Sequence, residues 1–127
     1  MTVLDASVLI AHLEATDAHH ERAAGLIDEL ADDDVGVSWI TLAEVLAGPA
    51  RAGRLHGAYA ALRELGIRGI RKGDDAPLRL ATLRAETGLK LPDCCVLLAA
   101  EDVAAESIAT FDGKLVTAAR GMGFGVR

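Results

Sequence analysis

The stretch TVLDASVLIAHLEA, residues 2–15, decides how the chain is to be read. Residues 2–5 (TVLD) form a short apolar run closed by a carboxylate, the pattern of a buried strand, and SVLIAHLEA carries its apolar residues at helical spacing. Ser7 stands where a helix cap is expected. A carboxylate at the end of a buried strand is costly unless paired or metal-bound, so Asp5 is a candidate for function on spatial grounds alone.

Outward from this unit the same alternation continues. Asp17 is expected to cap a second helix through Ala31, with Ala23, Leu26, Ile27 and Leu30 on one stripe. Val35 to Trp39, Ile67 to Ile70, Ser107 to Thr110 and Phe124 to Val126 read as further strands, the last at an edge. Helices are expected from Thr41 to Ala47, stopped by Gly48-Pro49, and from Leu55 to Leu65, stopped by Gly66. Pro77 and Pro92 open two more, running to Gly88 and to about Ala105, and Gly113 to Arg120 forms the last. Strands separated by helices predict an α/β sandwich whose mainly parallel sheet, of about four to five strands, is covered on both faces.

A length of 127 residues fits one domain, 1–127, with a real core. No apolar run approaches the roughly 20 residues of a membrane span, and the start of the chain carries no basic segment ahead of its apolar residues. A cytoplasmic protein without a membrane partner is expected. Cys94 and Cys95 are adjacent in an apolar helix and read as reduced core residues.

The formal charge of −6 disfavours a nucleic-acid partner only until it is divided along the chain: residues 1–50 carry −9, 51–90 carry +5 and 91–127 carry −2. Arg51, Arg54, Arg63, Arg68, Arg71, Lys72, Arg79, Arg84 and Lys90 can therefore supply a local basic face. Trp39 and Tyr59 are the aromatic side chains suited to stacking on bases, with Trp39 expected in the core.

Ligands of parallel sheets bind beyond the carboxyl ends of the strands. Asp5 closes the first strand and Asp112 lies just past the strand ending at Thr110, so both fall on that rim. Asp93 follows Pro92 in the first turn of its helix, where free N–H groups favour an anion, and Glu44 sits in the apolar stretch WITLAEVLAGPA. Singly, Asp93 is a helix cap and Asp112 a turn residue before Gly113. Together the four describe one pocket for a hard divalent cation. His12, His19 and His20 raise a transition-metal site, but adjacent histidines on a helix point to different sides and no cysteine lies near in sequence.

With these residues in place the chain resembles the PIN-domain family, and within it the VapC-type toxins of bacterial toxin–antitoxin pairs. LDASVLIA at 4–11 looks like the family's opening strand with its acidic Asp5 and the hydroxyl of Ser7. TLAEVLAG at 41–48 is similar to its second motif, with Glu44; LKLPDCCVLLAA at 89–100 to its third, with Asp93; and ATFDGKL at 109–115 to its fourth, with Thr110 and Asp112. The cysteine pair after Asp93 and Phe111, in a place that is often polar, depart from the pattern without removing a carboxylate.

The resemblance implies a PIN-like α/β/α sandwich and an endoribonuclease whose Asp5, Glu44, Asp93 and Asp112 hold Mg²⁺, with Mn²⁺ as a substitute. Asp5 and Asp93 would bind the principal ion, Asp112 would complete or bridge the site, and Glu44 would orient water or help hold a second ion. Ser7 and Thr110 would orient these ligands through hydrogen bonds. It also implies an RNA substrate, a cognate antitoxin and a homodimer. Two rivals stand beside it. A non-catalytic interaction module is one; a Mg²⁺-dependent phosphatase is the other, opposed by Ala6 and Ser7 standing where a second aspartate two residues after the first would be needed.

Overall fold

The computed structural model describes residues 1–127. Five strands, β1 (Thr2–Leu4), β2 (Val35–Ser38), β3 (Arg68–Ile70), β4 (Ser107–Ala109) and β5 (Gly125–Val126), form one sheet in the order β3-β2-β1-β4-β5. Every neighbouring pair is parallel, so all five carboxyl ends share one rim. The register pairs Leu4 with Ala109 and Ser38 with Ile70, which brings the residues that follow each strand together along that rim.

Parallel strands need crossovers, and here they are helical. After β1 come α1 (Ala6–Leu13) and α2 (His20–Glu29); after β2 come α3 (Trp39–Arg51) and α4 (Leu55–Glu64). After β3 come α5 (Ala76–Thr87) and α6 (Leu91–Asp102), and α7 (Gly113–Gly121) links β4 to β5. Alternation along β1 divides the core: Val3 joins Leu83, Leu97, Leu98, Ile108 and Leu115 in one apolar cluster, while Leu4 joins Val8, Leu9, Ile27, Val37 and Leu62 in the other. The expected sandwich, with a sheet covered on both faces, is the observed architecture. No helix is long and apolar enough to cross a membrane.

Several boundaries differ from the sequence reading for local reasons. Asp5, not Ser7, caps α1, its side chain accepting the Ser7 N–H. Asp17 caps only a turn, accepting the His19 N–H at 2.8 Å, and α2 begins at His20. Helix α3 runs through Gly48-Pro49 to Arg51. Proline clashes with the Cβ of the residue before it as well as with the carbonyl four residues back and lacks a donor; glycine at 48 has no Cβ, which removes the first of these costs and eases the last turn. Trp39 opens α3 instead of ending β2, and at 47 % exposure it lies outside the core. Gly88, at φ 69°, ends α5 in the left-handed region, its N–H donating to the Arg84 carbonyl. Cys94 and Cys95 are both buried and unpaired, as their apolar setting implied.

Candidate active site

Asp5 leaves β1 in an extended conformation and is 6 % exposed. One of its oxygens, Oδ2, accepts from Ser7 Oγ at 2.7 Å, from Thr110 Oγ1 at 2.8 Å and more weakly from the Ser7 N–H at 3.4 Å. Each hydroxyl in turn accepts a backbone N–H from the loop after β4: Phe111 donates to Ser7 Oγ and Asp112 to Thr110 Oγ1, both at 3.0 Å. The proton assignments follow, since each hydroxyl has one hydrogen and that hydrogen serves Asp5. The network stitches the carboxyl ends of β1 and β4 together and leaves Oδ1 of Asp5 outside these bonds.

Asp112 caps α7 through Oδ1, which accepts the Lys114 N–H at 2.9 Å and the Leu115 N–H at 3.4 Å. Asp93 stands half-buried in the first turn of α6, behind Pro92. Burial pushes its carboxyl above the usual aspartate range, as do Asp5 and then Asp112, against the opposing pull of Lys90 and Lys114. Glu44 projects from the exposed face of α3, yet its carboxyl is also pushed up, first by burial, then by Asp5 and Asp93. Segments far apart in sequence thus bring the carboxylates together: Asp5 acts on both Glu44 and Asp93, Asp93 on Glu44, and Asp112 on Asp93.

No three His, Cys, Asp or Glu side chains stand close enough to form a ready-made metal-binding group. As a donor set the four carboxylates nevertheless fit a hard cation: the donors are all oxygen, Asp5 and Asp112 each keep an oxygen out of their capping bonds, and burial, then acidic neighbours, raise Asp93 and Glu44.

Residues beyond the acidic set complete the rim. Ser38, at the N-terminus of α3, does not cap its helix; its hydroxyl takes a hydrogen bond from Lys72 Nζ at 3.3 Å. Burial pushes the Cys95 thiol up, the positive charge of Lys72 works against that shift and Glu44 adds to it. Ser38 carries no sequence signal of its own, although it occupies on β2 the strand-end position that Asp5 follows on β1. Arg71 lies over the Trp39 ring, 4.4 Å from its centroid. At the far side of the loop after β4, Phe111 meets the His19 ring at 5.0 Å between centroids and Arg22 at 4.7 Å.

The basic segment divides. Arg68 pairs with Asp34 at 2.9 Å, and Arg79 pairs with Asp102 and, at 3.2 Å, with Glu101, tying α5 to α6. These two are occupied within the fold, whereas Arg71 and Lys72 lie at the carboxyl rim. The histidines are engaged separately: His20 Nδ1 donates to the Ala11 carbonyl at 2.8 Å, His19 stacks on Phe111, and His12 Nδ1 is buried without a protein partner.

Similarity to known proteins follows the same lines. No curated protein matches the chain significantly. Among solved structures, the VapC20 toxin of Mycobacterium tuberculosis, described as cleaving the sarcin-ricin loop, superposes with a TM-score of 0.76 at 20 % identity, over 98 % of this chain and 96 % of that one. A toxin–antitoxin complex from Klebsiella pneumoniae gives 0.75 at 24 % identity, over 100 % and 96 %. FitAcB from Neisseria gonorrhoeae gives 0.71 at 23 %, over 99 % and 96 %. At such identities the likeness is one of fold. The family model of the PIN domain matches residues 2–121, nearly the whole sheet and every carboxylate of the rim, and the chain belongs to the PIN-domain family.

Proposed function

We infer that this single-domain protein is a divalent-metal-dependent endoribonuclease and the toxin of a VapBC-type, type II toxin–antitoxin pair. The observation that carries the reading is the convergence of Asp5, Glu44, Asp93 and Asp112 at the carboxyl rim, with Asp93 and Glu44 raised first by burial and then by their acidic neighbours. Like charges that act on one another favour proton uptake or a bound cation, and a divalent ion among them would relieve the repulsion.

Asp5 and Asp93 are the residues that would hold Mg²⁺ or Mn²⁺, with Asp112 completing the set and Glu44 holding water or a second ion. The bound cation supplies charge for a phosphodiester oxygen and a more acidic water at neutral pH. Ser7 and Thr110 fix the Asp5 carboxylate from behind, so its orientation does not depend on the substrate. Glu44, whose carboxyl is raised, is suited to exchange a proton with the attacking water. Lys72 adds positive charge beside the acidic rim, where a phosphate must approach carboxylates.

The toxin role rests on the family and on the kind of proteins that share the fold, including a toxin–antitoxin complex and FitAB bound to DNA. It brings a cognate antitoxin as a partner, a homodimer and a cytoplasmic setting. The decisive test incubates antitoxin-free protein with total cellular RNA in Mg²⁺, in Mn²⁺ and in chelator, beside Asp5→Asn and Asp93→Asn. Discrete metal-dependent fragments, absent from both folded variants, are expected. Cleavage by the variants equal to that of the wild type, or none by folded wild type in either metal, would leave the non-catalytic interaction module as the better reading.

A further inference from the structure

Trp39 is the sole tryptophan of the chain, and the fold keeps it out of both apolar clusters. It is 47 % exposed at the first position of α3, on the rim that carries the carboxylates. Its seat is made by a glycine: a Cβ at Gly69 would lie 2.8 Å from the indole Nε1 and 2.9 Å from Cδ1. Backbone therefore lies against the pyrrole edge, and the Arg71 guanidinium lies over the ring at 4.4 Å. Lys72, the next residue, turns to Ser38, the residue before Trp39. The parallel register of β2 with β3, which pairs Ser38 with Ile70, places all of these at one point of the rim.

We propose that Trp39, with Arg71 and Lys72, forms a nucleotide subsite that stacks an unpaired RNA base beside the scissile phosphate. The inference rests on the nuclease reading and adds to it the residues that hold the nucleotide next to the cut. Aromatic rings and guanidinium planes are the surfaces on which unpaired bases stack, and neighbouring cations neutralise the adjoining phosphates. In the sheet order β3-β2-β1, β3 stands two strand spacings, about 10 Å, from the strand that ends at Asp5. An RNA strand with its scissile phosphate at the carboxylates lays a neighbouring nucleotide over Trp39. The indole also lines an apolar groove with Leu42, Leu46, Leu55 and Tyr59. An apolar partner docked there would have to bury the Arg71 guanidinium along with the ring, whereas the guanidinium over the indole is a charged plane on which a base continues the stack.

Because no other tryptophan contributes, the fluorescence of Trp39 reads the subsite directly. Wild-type protein in chelator, where a metal-dependent enzyme does not cut, is titrated with poly(U), with poly(A) and with the poly(A)·poly(U) duplex, while anisotropy of labelled RNA follows binding independently. Expected are quenching by the single strands at the concentrations that saturate anisotropy, and little by the duplex. Trp39→Ala and Arg71→Gln should weaken single-strand binding roughly five- to hundredfold, with Trp39→Phe close to wild type. Circular dichroism of each variant establishes that it is folded, and Trp39→Phe and Arg71→Gln keep the test open if Trp39→Ala is not.

Saturated binding without quenching, equal quenching by duplex, or wild-type affinity in Arg71→Gln would overturn the subsite. So would a Trp39→Ala variant that keeps its RNA affinity and loses only a protein partner. A parallel assay of metal-dependent cleavage by the wild type separates the two claims. Cleavage without quenching removes the subsite and leaves the nuclease, and neither cleavage nor binding removes both.

Discussion

Thr110 Oγ1 donates a hydrogen bond to Asp5 Oδ2 at 2.8 Å, joining residues 105 positions apart. Thr110 is 2 % exposed and Asp5 6 %, so neither group can fall back on water. The bond works with its twin from Ser7 to hold one carboxylate oxygen in place from two strands at once. What the fold delivers at this point is a fixed direction for the other oxygen.

Thr110→Val keeps the shape and removes the hydroxyl, leaving both Asp5 Oδ2 and the Asp112 N–H short of a partner. A loss of about 1–3 kcal/mol in stability is expected from urea unfolding, together with reduced metal-dependent cleavage. Thr110→Ser restores the hydroxyl and should recover most of both. Full cleavage by Thr110→Val would show that Asp5 needs no orientation from β4.

The raised carboxyls of Asp93 and Glu44 make a prediction about pH in the absence of metal. A carboxyl with a higher pKa in the folded state binds protons more tightly there than in the unfolded chain. Stability therefore falls as pH rises from the ordinary carboxylate range to the raised folded values, and levels off above them. Asp93→Asn and Glu44→Gln should flatten this slope and stabilise the metal-free protein at neutral pH. The gain should be about 1 kcal/mol or less, since Glu44 is exposed and solvent screens it. Unfolding midpoints measured in chelator across that pH range give the answer, and destabilisation by both variants would contradict it.

How much of this was legible beforehand depends on whether a residue's role is local. Asp5 after an apolar run, Pro92 before Asp93, and Asp112 before Gly113 carry short-range signals; Asp93 and Asp112 lie where expected, and Asp5 stands one residue past β1 as the cap of α1. Trp39 was misplaced because an apolar residue continuing VGVS looks like more strand, while the helix start is set by packing of the residues that follow. Pro49 misled in the opposite sense, since its glycine neighbour tolerates the helical turn. The ion pairs of Arg68 and Arg79 join partners 34 and 23 residues away, so no reading of a basic segment could tell them from Arg71 and Lys72.

Mg²⁺ or Mn²⁺ should stabilise the wild type by binding the folded state alone. A free concentration one hundred times the dissociation constant corresponds to about 2.7 kcal/mol, a shift of several degrees in the unfolding midpoint of a domain this size. Chelator should reverse it, and Asp5→Asn or Asp93→Asn should abolish it. Calorimetry with each metal decides; an equal shift in both variants would place the ion somewhere other than the carboxylate rim.

Salt dependence distinguishes the cations that meet RNA from those that serve the fold. Each phosphate neutralised by a protein cation contributes about 0.7 to the slope of log affinity against log salt for a single strand. Lys72, at the rim beside Ser38, should contribute one such contact, so Lys72→Ala lowers the slope by about that amount and weakens binding. Arg79 is held by Asp102 and Glu101 and Arg68 by Asp34, so Arg79→Ala and Arg68→Ala should leave the slope unchanged. Their cost belongs to stability instead: under about 1 kcal/mol for each half-exposed pair, and smaller at high salt. Anisotropy of labelled single-stranded RNA over a salt series, with urea midpoints for the same proteins, measures both quantities. A reduced slope in Arg79→Ala equal to that in Lys72→Ala would mean that RNA follows the α5–α6 face and not the carboxyl rim.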